Sequence, residues 1–163
     1  MSLHHEFRKD WRNDEQFARD ILEGHVIEAN IIMEYADYLR RVYSIEVEIK
    51  DNGVDNTGAV LNNDEVDARA DYLLNGQPIE VKYIKEHADE FRLKKEQVLS
   101  YIEQGAFILL VNGWMTEKPT FTLIKTERLK EIVQTKRTKP FETWGYKRCY
   151  FLKKYHFQWF SFR

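Results

Sequence analysis

The amino-acid sequence predicts a mixed α/β domain in which strands and helices alternate around a sheet covered on both faces. Three stretches carry that expectation. From Asn13 to Arg41 apolar residues recur at helical spacing. Asp71 to Tyr83 has the grammar of two strands joined at the hairpin dipeptide Asn75-Gly76. Ala106 to Val111 is a short uninterrupted apolar run, the pattern of a strand buried on both faces.

In the first helix Ile21, His25, Ile32, Ala36 and Leu39 form the stripe, with Gly24 a break or a point of close packing. Tyr43 to Lys50 alternates Ile45, Val47 and Ile49 with Glu46, Glu48 and Lys50, a strand with one wet face. The Asp-, Asn- and Gly-rich stretch 51–63 is a loop. It is not an EF-hand, because Gly53 falls on the third ligand position and Asn56 where glycine is required. In the hairpin, Tyr72 to Leu74 is one strand; in the other, Ile79, Val81 and Tyr83 alternate with Glu80, Lys82 and Ile84.

Asp89 to Gln104 reads as a helix with Phe91, Val98, Leu99 and Ile102 inward, stopped by Gly105. Asn112-Gly113 ends the apolar strand, Thr120 to Ile124 supplies another, and Thr126 opens a helix that buries Leu129, Ile132 and Val133. Beyond Pro140, ten aromatics interleave with basic residues, which predicts strands and a hairpin turning near Lys153-Lys154. The expected organisation is one domain over 1–163, with a core at about 13–135 and a β-rich, basic and aromatic extension at about 136–163.

At 163 residues the chain can bury a core without disulfides, and the single Cys149 excludes an internal bridge. No run approaches a membrane span and the amino terminus lacks the apolar core of a signal peptide, so a soluble cytoplasmic protein is expected. The net charge of −2 hides a split. In 136–163 eight Lys or Arg stand against one acid, Glu142, leaving the rest of the chain strongly acidic. A basic arm on an acidic body suits a polyanionic partner, with Lys147, Arg148, Lys153 and Lys154 the residues to lie along phosphates. The aromatics there suit either base stacking or a homodimer interface, and the bland alternative is a solvated strand.

Side chains two apart on a strand share a face, so Glu80 and Lys82 stand side by side, and Asp71 can reach the same spot from the partner strand. Carboxylates gathered on otherwise apolar strands must pair or bind a metal, unless this is simply a surface hairpin with a wet outer face. Asp67 shares the alternation parity of Asp71, and either could be the metal acid; Asp71 abuts the apolar run. Glu28 lies on or beside the helical stripe, where a carboxylate either serves a site or snorkels to water. Gln97 and Tyr101 lie four apart on one helical face. His25 reads as a packed or capping histidine rather than a ligand.

Helix, strand, strand, strand, helix, strand, with Glu28 on the first helix, Asp71 before a turn and Glu80-Val81-Lys82 after it, resembles the PD-(D/E)XK nuclease superfamily. Gln97 and Tyr101 look like the Gln-x-x-x-Tyr element of its RecB-like members. The likeness covers roughly 24–133. Ala70 stands where the signature has proline, and the RecB-like histidine has no counterpart beyond His25. The resemblance implies a restriction-endonuclease-like three-layer α/β/α core with a mixed central sheet. It also implies Mg²⁺ or Mn²⁺ held by Asp71, Glu80 and the Val81 carbonyl, with Glu28 acting directly or through water. Lys82 would then be catalytic, Gln97 and Tyr101 supporting, and the activity metal-dependent endonucleolytic hydrolysis of DNA, branched or phage/recombination DNA included. A nucleic-acid-binding or interaction subunit that keeps the fold without cleaving is the second reading.

Overall fold

The computed structural model describes residues 14–52 and 69–163. The loop read from Gly53 onward, with Asp64, Glu65 and Asp67, lies outside the described residues, as does the side chain of Ile21. Helix α1 (Asp14–Tyr43) runs unbroken through Gly24. It is followed by β1 (Ile49–Asp51), β2 (Tyr72–Leu74), β3 (Gln77–Ile84), β4 (Glu90–Lys94) and α2 (Lys95–Gln104). Then come β5 (Phe107–Asn112), β6 (Thr120–Ile124), α3 (Thr126–Thr135), β7 (Lys139–Phe141), β8 (Lys147–Lys153) and β9 (Phe160–Ser161).

Six strands form one mixed sheet in the order β1-β2-β3-β5-β6-β9, and β4-β8-β7 form a second, antiparallel one. Among the described strands only β3 and β5 run parallel, joined by a crossover through β4 and α2. As the uninterrupted run requires, β5 is buried on both faces: Leu109 and Val111 pack with α1, and Ile108 and Leu110 with α2 and α3. Ile27, Ile31, Ile32 and Tyr35 of α1 cover Ile79 and Val81 on one side of the large sheet. Val98 and Tyr101 of α2, Leu129 and Ile132 of α3, and Phe91, Leu93 and Leu152 of the small sheet fill the other. The result is three layers around a mixed sheet.

The hairpin at Asn75-Gly76 is borne out, both residues holding positive φ (49° and 82°) as a type I′ turn demands. Other expectations are corrected. The first wet strand is shorter than Tyr43 to Lys50, because α1 continues to Tyr43 and Ser44 (φ 54°) ends it. The side chain of Asn75 then holds the following segment, accepting from the Glu48 N–H (2.8 Å) and donating to the Glu46 carbonyl (2.8 Å). The helix expected from Asp89 starts only at Lys95. Before it, Phe91 and Leu93 alternate with Glu90, Arg92 and Lys94, and that period of two finds its partner in β8. Leu99 is 43% exposed rather than inward; Tyr101 takes the buried place. The helix expected from Thr126 does start there, and the Thr126 hydroxyl donates to the Ala106 carbonyl (2.9 Å), docking α3 on the entry to β5.

The carboxy-terminal stretch is not a separate extension. Its hairpin turns at 142–146, not at Lys153-Lys154, where a 3-10 turn (Lys154–His156) redirects the chain. Strand β8 is paired on both sides, by β4 and β7, and β9 edges the large sheet beside β6. Cys149, Tyr150, Leu152 and Phe162 are buried, and Trp159 packs on Phe91 with ring centres 5.3 Å apart. Most of the tail's aromatic surface therefore stabilises the fold. Leu152→Ala should cost about 2–5 kcal/mol, as a buried leucine does, whereas Leu99→Ala should cost under about 1 kcal/mol. Urea unfolding of the two variants measures the contrast, and equal losses would contradict this packing.

Candidate active site

The register Tyr72↔Ile79 places Asp71, one residue before β2, beside Glu80 on β3. Asp71 accepts a hydrogen bond through Oδ2 from the Val81 N–H (3.1 Å). Pleating sends Ile79 and Val81 toward α1 and Glu80 and Lys82 toward α2. There Lys82 Nζ lies 3.7 Å from Glu80 Oε1 and donates to Gln97 Oε1 (3.1 Å). One helical turn on, the Tyr101 hydroxyl hydrogen-bonds Glu80, and its ring centre is 6.0 Å from Lys82 Nζ. The pair four apart on α2 thus braces the two polar residues of β3, one partner each.

Glu28 comes from the opposite layer but acts electrostatically on the same group, feeling the charges of Asp71, Glu80 and Lys82. Burial and then the Asp71 and Glu80 carboxylates push it up to about 8, against the pull of Lys82. Glu80 is pushed up to about 7, by burial first and then Asp71, with Lys82 and Tyr101 opposing. Asp71 is raised by burial, while the Val81 N–H, Lys82 and His25 favour its charge. Tyr101 is held well above the ordinary phenol range by burial and the neighbouring carboxylates.

Such crowding asks for a cation. Among the described residues, Glu80 Oε2 and His25 Nδ1 are buried with no hydrogen-bond partner. No three His, Cys, Asp or Glu side chains among them are grouped closely enough to ligate one ion together. Mg²⁺ and Mn²⁺ bind through one or two carboxylates and complete the shell with water and substrate phosphate. Asp71 and Glu80 are the carboxylates here that could hold such an ion, Glu80 Oε2 being the buried oxygen without a hydrogen-bond partner. His25, read from the sequence as a packed or capping histidine, lies three residues before Glu28 and so on the same helical face.

The four tail residues do not join this group. Arg148 donates to the hydroxyl (3.2 Å) and carbonyl (3.2 Å) of Thr138. Lys153 is ion-paired with Glu90, and Lys154 opens the 3-10 turn. Lys147 is exposed and acts on Lys94. The cations the sequence reading missed are Arg92, Lys94 and Lys139, which share the outer face of the small sheet with Phe141, Trp144 and Phe151. Arg92 lies 4.6 Å from the Phe141 ring centre and 5.6 Å from that of Phe151, Lys94 5.0 Å from Trp144, and Lys139 6.0 Å from Phe151.

Compared with family models, curated proteins and solved structures, the chain shows no significant match to any of them. Among the described residues no helix is long and apolar enough to cross a membrane.

The raised acids make stability depend on pH. Glu28 and Glu80 have folded values above their ordinary 4.5, so the neutral form favours the fold. That stabilisation is complete below about 4.5 and lost as pH rises through about 7 and about 8. Without divalent cations, Tm should therefore fall across this window, each kcal/mol amounting to about 2–4 °C. Mn²⁺ at the upper end should restore it, and Glu80→Gln should raise the metal-free Tm while abolishing the Mn²⁺ response. Calorimetry decides: a flat metal-free profile would deny the carboxylate crowding, and an unchanged Mn²⁺ shift in Glu80→Gln would place the ion elsewhere.

Proposed function

We propose that the protein is a Mg²⁺- or Mn²⁺-dependent nuclease of the PD-(D/E)XK type that hydrolyses phosphodiester bonds in DNA. The observation that carries this reading is the cluster of Asp71, Glu80 and Lys82, in which Glu80 is buried with one oxygen lacking a hydrogen-bond partner. Two carboxylates and an ammonium on adjacent strands, with Gln97 and Tyr101 behind them, are a costly arrangement for stability alone.

Asp71, Glu80 and the Val81 carbonyl would hold the cation, with Glu28 reaching it through water. When bound, the cation supplies Lewis acidity toward the phosphate and lowers the pKa of water beside it. The rest of the work belongs to this chain's own groups. Lys82, steered by Gln97, orients the attacking water and offsets the negative charge that grows on the phosphoryl oxygens. Tyr101 favours the ionised form of Glu80 against burial and the Asp71 charge. Glu28, pushed up to about 8, is protonated at neutral pH without a cation and becomes an acceptor for water once the crowding is relieved. Water adds to phosphorus and one P–O ester bond breaks.

Lys82→Met should lower cleavage of supercoiled plasmid by about 10²–10³-fold with binding retained, and Asp71→Asn and Glu80→Gln should abolish it. Gel assays with Mg²⁺, Mn²⁺ or EDTA provide the test. A parent protein that binds DNA but cuts neither plasmid, single strands nor a four-way junction would favour the non-cleaving interaction subunit.

A further inference from the structure

Beside the candidate active site a cleft of about 420 Å³ opens between β3, β4 and the β7–β8 turn. Lys82 and Gln97 line it on the side shared with the site; Lys94, Trp144 and Arg92 also line it, Arg92 paired with Glu90 (3.2 Å), the one acid of the lining. Two features mark this cleft as built for an anion attached to a flat ring.

The first is its charge. Lys94 is half-buried, and the cations Lys147 and Lys82 act on it more strongly than the carboxylate of Glu96. With burial they lower its pKa, a repulsion that a phosphate would relieve. The second is Trp144. Phe141 meets its ring edge-on (4.9 Å, 89°), and the ammonium of Lys94 lies 5.0 Å from its centre, so the indole is held upright at the cleft wall. The same turn holds Tyr146 in left-handed backbone (φ 61°) with 64% of its surface exposed. A bulky residue keeps that conformation only when its surroundings impose it.

We infer that this cleft binds one unpaired nucleotide next to the scissile phosphate, its base against Trp144 and its own phosphate between Lys94 and Lys147. This deepens the nuclease reading and rests on it for the position of the cut. A cleft of this volume, lined in part by Lys82, suits a single base and its sugar but not a stacked base pair. The substrate class is therefore nucleic acid with an unpaired residue at the cleavage point: single strands, overhangs or flaps.

Binding is measured by fluorescence anisotropy on the full chain carrying Asp71→Asn, with labelled oligothymidylate and a blunt duplex of equal length as probes. Adding Trp144→Ala should weaken oligothymidylate binding roughly tenfold to a hundredfold, with Trp144→Phe recovering most of it, and should leave the duplex nearly unaffected. Lys94→Gln should flatten the slope of log affinity against log salt on the single strand by about 0.7. Lys94→Gln also carries the test should Trp144→Ala fail to fold, which its melting curve reveals. Equal losses on duplex and single strand, or an unchanged Trp144→Ala affinity together with an unchanged Lys94→Gln slope, would overturn the proposal. The two readings fail separately. Trp144-dependent binding by a parent that never cleaves would keep the subsite and remove the nuclease, and cleavage with Trp144-independent binding would do the reverse.

Discussion

The pairing register of β2 with β3 is the constraint on which the rest depends. Asn75 and Gly76 both adopt left-handed φ, so the turn has two residues and Tyr72 meets Ile79. A slip of one residue would turn Glu80 and Lys82 into the apolar layer under α1 and put Val81 against Gln97 and Tyr101. It would also carry Asp71 away from the Val81 amide. Ile79 and Val81, buried at 3% and 2% exposure, oppose the slip because their burial is worth about 1.5–3 kcal/mol each. Asn75 adds a second lock by bonding the segment that precedes β1.

Held in that register, the polar residues of β3 are an electrostatic burden on the fold. Glu80 is 8% exposed, next to Asp71 and within the field of Glu28, with Lys82 the nearest ammonium. The chain tolerates the group because helix α2 arrives through the β3–β5 crossover with Gln97 and Tyr101 already spaced one turn apart. That geometry separates two tasks. The apolar faces of β3 and β5 supply rigidity, and Glu80 is left with one buried oxygen unpartnered, the feature on which the proposed cation site rests.

Much of this was legible in the sequence because it is local. The turn at Asn75-Gly76, the alternation of β3, the apolar run of β5 and the long helical stripe are each written within a dozen residues, and so was the company of Asp71, Glu80 and Lys82. What stayed hidden depends on distant partners. Glu90 to Lys94 passes for the first turns of a helix until Tyr150 and Leu152 are known to pair with it. Charge counted along the chain singled out the tail, but charge across the small sheet is different: Glu90 pairs with both Lys153 and Arg92, and Lys94 and Lys139 lie over the rings of Trp144 and Phe151. The aromatics misled for the same reason. Trp159 and Phe162 look like a binding surface in one dimension and fill space in three.

The path of the last twenty residues has a consequence for how the chain acquires its shape. Leu152 completes the core beneath α2 and α3, and ten residues later Phe162 completes the one beneath α1, touching Phe121 with ring centres 4.7 Å apart. The Phe162 carbonyl accepts from Arg41 near the far end of α1, a contact across 121 positions. Neither layer can close until Leu152 and Phe162 have joined it. Folding should therefore be governed by long-range closure rather than by the early helix.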